Sequence, residues 1–248
     1  MARDDGNILV IDVGATSIKS TVITGDGAAV TPTRRRSTPY PCSPRVLVDA
    51  LVARIELTDC GRVAVGFPGE FRGGVVIHPG NLARPGGVHT EVDRDLDVSW
   101  RGYELTDQLR RRSGRDVRVV NDALLAGFGA ITGSGRELVV TLGTGCGLAF
   151  FVDGHPVPVR DVGDAVLRDG ASFDQLVGEQ GRIASSARWG DDVVLALQTL
   201  ITEFGPTSVH VAGGNSRRLS RHTWAPLDAR VEVHGNEVAA LGAVRLFP

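Results

Sequence analysis

Short apolar runs separated by glycine-rich turns alternate along this chain with longer segments of helical periodicity. The apolar runs predict strands at 8–13, 17–24, 28–32, 62–67, 74–78, 116–120, 137–142, 146–152, 156–160, 207–212 and 229–233. Apolar positions spaced by three and four residues predict helices at 44–56, 102–113, 122–131, 171–187, 191–204, 214–221 and 236–246. The charged stretch 84–97, which holds two glycines and a proline, is predicted to be a loop. Three strands followed by alternating helices and strands, twice over, predict an α/β protein with mixed sheets covered by helices.

The first hairpin of this pattern recurs in the second half of the chain. Residues 8–26 align without gaps with residues 137–155, at an offset of 129 positions, and both segments read as strand, small-residue turn, strand and glycine turn. The offset is close to half the chain length, so a duplicated lobe is the simplest interpretation. We therefore predict an N-terminal lobe of residues 1–121 with a returning C-terminal helix in 235–248, and a C-terminal lobe of residues 122–234. The alternative is that any two glycine-centred hairpins look alike.

Composition and charge exclude several classes of protein. The 248 residues carry 27 basic and 29 acidic side chains, and a net charge of −2 gives no reason to expect a nucleic acid or an anionic membrane as a partner. No apolar run approaches the roughly 18 residues of a spanning helix, and the N-terminus lacks the apolar stretch of a signal peptide. The three cysteines lie outside any C-x-x-C pattern, which argues against a disulfide framework and a structural zinc site. We expect a soluble protein of the cytoplasm.

The turn after the first predicted strand has the residue types of a phosphate site. Residues 12–19 read DVGATSIK, and Lys19 is the only lysine among the 27 basic residues. Gly14 lets backbone N–H groups approach an anion, Thr16 adds a hydroxyl, and Lys19 supplies a compact positive charge for a phosphate oxygen. Asp12 is suited to hold Mg²⁺ through water molecules. The alternative is an ordinary hairpin with a surface lysine.

Two further glycine-rich turns end predicted strands in the second half of the chain. Residues 142–147 read LGTGCG, and such a turn presents backbone donors to phosphate without a charged side chain. It lacks the G-x-x-x-x-G-K-[ST] pattern of a P-loop, and an apolar strand follows it, which disfavours a nicotinamide-binding Rossmann site. Gly213 and Gly214 end another strand, where a nucleotide can rest against the backbone, although an ordinary turn has the same pattern.

A candidate general base is Asp122, which follows one predicted strand and begins a predicted helix. A carboxylate at such a junction can accept a hydroxyl proton. The alternative is a helix N-cap, because Asn and Asp are both favoured cap residues. Asn81, which follows a Pro-Gly pair, can offer an amide to a sugar hydroxyl but is equally typical of a turn.

Taken together, these motifs resemble those of the superfamily of sugar kinases, heat-shock chaperones and actin. Residues 12–16 (DVGAT) are similar to its first phosphate motif, 142–145 (LGTG) to its second, and 212–214 (AGG) to its adenosine motif. Within the superfamily, four segments in this order resemble the ROK sugar kinases: GFPG at 66–69, NL at 81–82, VNDA at 120–123 and LGTGCG at 142–147. The compact length and the Ile18-Lys19 pair look most like the bacterial polyphosphate glucokinases.

The resemblance implies a two-lobed ribonuclease H-like fold, as in the actin-like ATPases, whose lobes close over a cleft. It also implies a homodimer that uses Mg²⁺ and transfers a phosphoryl group from ATP or polyphosphate to glucose or a related hexose. Asp122 matches the catalytic base. The positions that match phosphate or nucleotide contacts are Asp12 (also the metal position), Gly14, Ala15, Thr16, Lys19, Gly143, Thr144, Gly145, Gly213 and Gly214. The positions that match sugar contacts are Asn81, Asn121, Asp122, Asp161 and Asp164.

The chain departs from the family pattern at three places. The E-x-G-H sugar motif falls on residues 161–164, which read DVGD, and a nearby family glutamate falls on Val166. Buried hydroxyl readout is where such sites gain discrimination, so this departure bears on whether glucose is the substrate. The stretch before Trp100 is longer than usual, and Ala15 replaces a glycine. The zinc motif C-x-C-G-x-x-G-C of many ROK members is absent, as it is from polyphosphate glucokinases.

Alternatives to a catalytically active sugar kinase stay open. The altered residues 161–164 suit a member that has lost catalysis and acts as a sugar or nucleotide sensor. No helix-turn-helix precedes Ile8, so we do not expect a direct repressor. Another alternative is an acetate-kinase-like or pantothenate-kinase-like transferase of the same superfamily. The arginine runs 34–36 and 110–112 either track a polyphosphate chain or form solvated surface.

Overall fold

The computed structural model describes residues 4–227, 229–235 and 237–247. They form two compact units, which are treated separately below. Unit 1 consists of the described parts of Met1–Leu125 and Ala239–Pro248, and unit 2 of the described part of Ala126–Val238.

The strands of unit 1 are β1 (Asp4–Val13), β2 (Ser17–Ile23), β3 (Arg34–Ser37), β4 (Cys60–Phe67), β5 (Glu70–Arg72), β6 (Val75–His78) and β7 (Asp116–Asn121). The strands of unit 2 are β8 (Arg136–Leu142), β9 (Cys146–Val152), β10 (His155–Val157), β11 (Val166–Arg168), β12 (Ala171–Ser172), β13 (Ser208–Ala212) and β14 (Arg230–Val233). The α-helices are α1 (Pro44–Glu56), α2 (Arg94–Trp100), α3 (Leu105–Ser113), α4 (Asp122–Ala130), α5 (Phe173–Val177), α6 (Glu179–Ala184), α7 (Ser186–Phe204) and α8 (Glu237–Leu246). Short 3-10 helices occupy Gly80–Ala83, Gly87–His89, Ser216–Arg218 and Arg221–Trp224.

Each unit is built on a five-stranded mixed sheet, and the two sheets have the same strand order. The orders are β3-β2-β1-β4-β7 and β10-β9-β8-β13-β14. In each sheet the first three strands in sequence form two antiparallel pairs. Two later strands then add on the other side of the first strand, parallel to it. This architecture confirms the predicted α/β class, and the shared order is what a duplicated lobe predicts.

Alternating apolar positions bury both faces of the central strands in unit 1. One face of β1 carries Leu9, Ile11 and Val13, which pack with residues of α1 and α3. The other face carries Ile8 and Val10, which pack with residues of α4 and α8. In unit 2, the corresponding first face of β8 packs with residues of α5 and α7. No helix in the described ranges is both long enough and apolar enough to cross a membrane.

Three predicted elements differ from the structure, and a fourth, the loop 84–97, is described in the next paragraph. The predicted strand 28–32 makes only an isolated antiparallel bridge, between Ala29 and Ile23, and then bends, and β3 begins at Arg34. At the bend, Val22 O accepts from the N–H groups of both Val30 and Thr31. The predicted helix 171–187 is broken into β12, α5, α6 and the start of α7. It breaks at Gly178, where a side chain would lie 2.5 Å from the carbonyl oxygens of Asp174 and Thr144. The predicted helix 214–221 is replaced by two 3-10 turns.

The predicted loop 84–97 contains the start of a helix, α2, which was not predicted because the segment is rich in charged residues. Asp93 Oδ1 caps this helix by accepting from Leu96 N at 2.8 Å. The helix ends in Trp100, which is fully buried, donates from Nε1 to Cys42 O at 2.8 Å and packs against Phe67 at 5.6 Å between ring centroids. Trp100, with the partly buried Leu96 one turn earlier, therefore packs this segment against the core of unit 1.

Replacing Trp100 with alanine should lower the free energy of unfolding by about 3–5 kcal/mol, because the change leaves a large cavity and an unpaired carbonyl. Val98→Ala, on the exposed side of the same helix, should change it by no more than about 0.5 kcal/mol. Urea unfolding of both variants and the parent measures the difference. Equal stability of the two variants would contradict the anchoring role of Trp100.

Candidate active site

Three neighbouring parallel strands of unit 1 bring Asp12, the GFPG segment and the Asn121-Asp122 pair to one edge of the sheet. The register pairs Asp12 of β1 with Gly66 of β4, and Gly66 and Phe67 with Val120 and Asn121 of β7. Asp122 follows directly as the first residue of α4. The carboxyl ends of parallel strands are where open α/β sheets bind ligands, so the edge that carries Asp12 and Asp122 is the candidate binding edge.

Asn121, rather than Asp122, acts as the side-chain cap of α4. Its Oδ1 accepts from Leu124 N at 3.1 Å, while its Nδ2 donates to Gly69 O at 2.9 Å. The Asp122 carboxylate accepts from Ala123 N at 2.8 Å and is only partly buried. The helix cap is therefore formed by Asn121, and the general-base role of Asp122 stays a prediction.

Close backbone approaches explain the glycines of the GFPG segment. A side chain at Gly66 would lie 3.3 Å from the Asp122 Cα atom, so glycine lets the start of α4 approach β4. A side chain at Gly69 would lie 2.3 Å from His78 O, and one at Gly80 would lie 2.3 Å from Pro68 O. The segment before Asn81 is thus packed backbone to backbone against the segment that Asn121 holds. Asn81 itself lies partly exposed in the 3-10 helix Gly80–Ala83.

The turn between β1 and β2 has all its carbonyl oxygens engaged within unit 1. The four residues 14–17 accept hydrogen bonds from the following donors: Thr38 Oγ1 (2.6 Å) and N (3.2 Å), Tyr40 Oη (2.7 Å) and Gly14 N (3.0 Å). The N–H groups of Ala15 and Thr16 have no hydrogen-bond partner among the residues that the structure describes. Successive unpartnered N–H groups at a turn form a concave anion site.

Lys19 and Asp12 lie directly opposite each other across the β1–β2 pair. Lys19 Nζ donates to Asp12 Oδ2 at 3.2 Å, and both side chains are about one-third exposed. The positive charge therefore lies on the hairpin that carries this turn. The residues also fit Mg²⁺, because the ion keeps most of its waters and takes one or two carboxylates together with substrate phosphates. Asp12 can supply such a carboxylate on release from Lys19.

The turn between β8 and β9 in unit 2 repeats this arrangement with different donors. The carbonyl oxygens of residues 142–145 accept from the following groups: Asn215 N (3.0 Å) and Nδ2 (3.1 Å), Glu179 N (3.2 Å) and Gly143 N (3.0 Å). The N–H groups of Thr144 and Gly145 have no hydrogen-bond partner in the described part of the chain. They correspond to Ala15 and Thr16 at the offset of 129 positions. The second turn is one residue shorter, because Leu142 pairs with Cys146 whereas Val13 pairs with Ile18.

Asp174 and Glu179, which the sequence motifs did not identify, organise this second turn. Asp174 Oδ1 accepts from Cys146 N at 2.7 Å, and Asp174 N donates to Gly163 O at 2.9 Å. Its carboxylate leaves room only for glycine at 145, where a side chain would lie 2.5 Å from Oδ1. Glu179 accepts from Asn215 Nδ2 at 2.9 Å. The sequence signal was the Ser172–Gln175 capping box, which marks the helix start that holds Asp174.

The remaining predicted site residues of unit 2 surround the same turn. Gly213 has φ +94°, and a side chain there would lie 2.4 Å from Leu142 O, so it requires glycine, whereas Gly214 is exposed with open space around it. Asp161 and Asp164 are both exposed, and Asp161 Oδ1 accepts from Gly163 N at 2.9 Å. The segment 161–164 is linked to the turn through Asp174, whose N donates to Gly163 O and whose Oδ1 accepts from Cys146 N.

The two arginine runs differ in their surroundings. Residues 34–36 form β3, the exposed edge strand, and Arg35 pairs with Lys19 in the β2–β3 register. In the other run, Arg112 contacts Asp49 at 2.5 Å and Arg110 donates to Val117 O at 2.8 Å. The second run therefore supports α3, while the first extends the basic surface beside the first turn.

Comparison with known proteins gives a consistent relationship. A profile of the ROK family matches residues 8–158. No curated protein sequence matches the chain.

Among solved structures, an inorganic polyphosphate/ATP-glucomannokinase from Arthrobacter sp. strain KM is 27% identical, with a TM-score of 0.76 over 97% of this chain and 98% of that one. A ROK family glucokinase from Streptomyces griseus, in complex with glucose and AMPPNP, is 20% identical, with a TM-score of 0.72 over 97% and 99%. A ROK family transcriptional regulator, a homolog of the E. coli MLC protein, is 13% identical, with a TM-score of 0.66 over 96% and 77%. For the glucokinase and the regulator, which are less than 25% identical to this chain, the similarity is one of fold.

The ion pair of Glu179 should make the stability of unit 2 sensitive to acid. Arg182 Nε and Nη2 donate to the two carboxylate oxygens at 2.7 and 2.6 Å. This pairing, helped by Asn215, outweighs the effect of burial and lowers the pKa of Glu179 to about 2. A pKa below the usual 4.5 contributes stability above pH 4.5 and loses it as pH falls toward 2. The difference in unfolding free energy between the parent and Glu179→Gln should therefore narrow across that range.

Urea unfolding at pH 6, 4.5 and 3.5 measures this narrowing, with Glu203→Gln, an exposed change on α7, as the matched control. A difference that stays constant for Glu179→Gln would contradict the assignment.

Proposed function

The chain belongs to the ROK family, whose profile covers more than half of its length, and from that membership we propose that it is a carbohydrate kinase. The proposed reaction moves a phosphoryl group from ATP or polyphosphate to a hydroxyl of glucose or a related hexose. The similarity to the glucomannokinase and the glucokinase supports this assignment.

The observation that carries the proposal is the repeated turn. Each unit has one turn whose carbonyl oxygens are engaged internally and whose two central N–H groups are available to an anion. The first of these turns has Lys19 beside it. Phosphoryl transfer needs mainly positioning and neutralised charge, and these groups supply both. Gly213 and Gly214, at the end of β13, are proposed to receive the nucleoside when ATP is the donor.

Asp122 is the proposed general base. Its carboxylate would accept the proton of the sugar hydroxyl as that oxygen bonds to the terminal phosphorus and the bond to the leaving phosphate breaks. Asp122 begins α4 at the edge that also carries Asp12, which is where a base and a metal ligand are both needed. Mg²⁺, held by Asp12 through water, would neutralise charge on the transferred group.

Sugar contacts are proposed for Asn81, Asn121, Asp161 and Asp164. Asn121 uses both ends of its amide within unit 1, so its contribution would come through holding Gly69 and the start of α4 in place. Asp161 and Asp164 are exposed acceptors. Two carboxylates there favour a sugar that offers hydroxyl donors.

Polyphosphate is a proposed donor because of the basic edge beside the first turn. Arg34, Arg35 and Arg36 are all exposed on β3, and Arg35 pairs with Lys19 across the strands. Because successive side chains of a strand point to opposite faces, Arg35 shares the face of Lys19, and Arg34 and Arg36 lie on the other face. A long polyanion can extend from the turn along Lys19 and Arg35. A homodimer is proposed from the family resemblance.

The second candidate function is a sugar-binding or nucleotide-binding regulator without catalysis. The DVGD sequence at 161–164, where the family pattern has E-x-G-H, favours it. Binding of a sugar without turnover, across a panel of hexoses with ATP and with polyphosphate, would support this candidate over the kinase.

Asp122→Asn should lower kcat by about 10²–10⁴-fold for the best sugar of such a panel, because the amide cannot accept the proton. The fold should persist, since an amide oxygen at this position can still accept from Ala123 N. Phosphorylated sugar is measured with ATP and with polyphosphate. Asp116→Asn, an exposed change at the start of β7, is the matched control. Retention of parental kcat by Asp122→Asn would exclude the general-base role.

Gly145→Ala should raise the KM for the phosphoryl donor much more than Gly143→Ala. A methyl group at 145 would lie 2.5 Å from the Asp174 carboxylate and would displace the turn, whereas nothing lies within 4 Å of a methyl group at 143. An increase of at least about tenfold corresponds to the loss of roughly one charge-assisted hydrogen bond. Equal donor KM values for the two variants would contradict the role of this turn.

A further inference from the structure

A cluster of polar side chains lies in unit 2 on the sheet face opposite the α7 core. The parallel register pairs His210 of β13 with Glu232 of β14, and His234 follows two residues later on the same face. One ligand-type atom from each residue lies within 4.8 Å of the other two. His210 is fully buried, while Glu232 and His234 are partly exposed.

The duplicated fold provides an internal reference for this cluster. The strand registers place Ile8, Ala64 and Val120 of unit 1 at positions equivalent to Glu137, His210 and His234 of unit 2. In unit 1 these three side chains are part of, or pack against, an apolar cluster. In unit 2 a carboxylate and two imidazoles occupy the equivalent face, and Glu137 and His210 are both completely buried. Burying such groups is costly unless they are paired or bind a metal.

Glu137 orients the first imidazole of the cluster. Its oxygens accept from the following groups: Thr132 N (2.7 Å), Thr132 Oγ1 (2.9 Å), Gly133 N (2.7 Å) and His210 Nε2 (3.1 Å). A carboxylate that accepts from so many donors requires His210 to carry its proton on Nε2. The Nδ1 lone pair of His210 then points away from Glu137. A carboxylate that fixes the outer nitrogen of a histidine in this way is typical of metal-ligating imidazoles.

The distances suit three ligands of one ion. His210 Nδ1 lies 3.0 Å from His234 Nε2 and 3.9 Å from Glu232 Oε2. Ligand atoms about 2.0–2.1 Å from a tetrahedral Zn²⁺ lie about 3.3 Å apart, which falls between these two values. The second oxygen of Glu232 contacts Arg230 at 2.6 Å, so Oε2 is the oxygen that faces the imidazoles.

We propose that unit 2 contains a site for a divalent metal ion of the Zn²⁺ class, with His210 Nδ1, His234 Nε2 and Glu232 Oε2 as ligands and Glu137 as the positioning carboxylate. Two imidazole nitrogens and one carboxylate oxygen form a ligand set typical of Zn²⁺, and a water molecule completes four-coordination on the exposed side. This site is separate from Asp12 and from the zinc motif sought in the sequence.

Metal binding at this position would fasten the edge strand of the sheet. The outermost strand, β14, pairs only with β13 among the described strands, and His234 N donates to Val211 O at 2.8 Å. Ser216 Oγ lies 2.9 Å from both His234 O and Gly213 O and donates its one proton to either of them. The bound ion would therefore stabilise the turn that follows β13.

Titration of the chelator-treated full chain with Co²⁺ and Zn²⁺ tests the site. We expect one ion per chain, the strong d–d absorption of a four-coordinate Co²⁺, its loss on Zn²⁺ addition, and a higher Tm with Zn²⁺. Glu137→Gln should weaken Zn²⁺ binding by about 10–100-fold, as for other outer carboxylates. Glu232→Gln and His234→Gln remove ligands and should weaken it further.

His155→Gln, at an exposed histidine of β10, is the matched control and should bind as the parent does. Circular dichroism and urea unfolding without metal establish that each variant is folded. If His234→Gln does not fold, the Zn²⁺ affinity of Glu232→Gln tests the site instead. The Glu232 side chain is partly exposed, so its replacement should be tolerated by the fold. Absence of stoichiometric binding in the parent, or parental affinity in the folded ligand variants, would overturn the proposal and leave a histidine–histidine hydrogen bond.

Discussion

The two turns proposed to bind anions depend on one constraint, which is that their carbonyl oxygens must accept hydrogen bonds from within their own unit. A turn whose carbonyls face a phosphate would repel it, and a buried carbonyl without a donor is costly. In unit 1, Thr38 and Tyr40 supply the donors, and in unit 2, Asn215 and Glu179 supply them. The N–H groups face outward as a consequence. The residues that create the site are thus mostly not those that would touch the ligand.

The duplicated fold has kept this constraint while the chemistry of the two halves has diverged. Unit 1 combines its turn with Asp12, Lys19 and Asp122, so its strand edge carries charge and a candidate base. The second turn has no charged side chain of its own and relies on Asp174 to shape it. The opposite faces of the sheets diverge as well, because an apolar cluster in unit 1 corresponds to Glu137 and its histidines in unit 2. Equal topology has left room for different sites.

Local patterns predicted the parts of the site that lie within a short stretch of chain. Apolar periodicity stops near Asp12, at the junction of Asn121 and Asp122, and at the glycine-rich turns. These features could therefore be predicted from the sequence. Asp174 and Asn215 could not, because they reach the second turn from 28 and 72 residues away, through contacts that only the fold creates. Helix α2 was missed for a related reason. Its stability comes from the burial of Trp100 rather than from a periodic apolar face.

The segment 161–164, which departs from the family's sugar motif, is held next to the second proposed anion-binding turn by backbone contacts. The segment 161–164 is connected to the second turn by backbone bonds, since Asp174 N donates to Gly163 O while the Asp174 carboxylate accepts from Cys146 N. Asp161 Oδ1 accepts from Gly163 N at 2.9 Å and so helps to hold the residue that Asp174 contacts, whereas no hydrogen bond of the Asp164 side chain to the described residues is part of this connection. A change at Asp164 can therefore alter a proposed sugar contact without loosening the turn, while a change at Asp161 affects both. The segment 161–164 thus combines a departure from the family pattern with backbone bonds that hold the second proposed anion-binding turn in place.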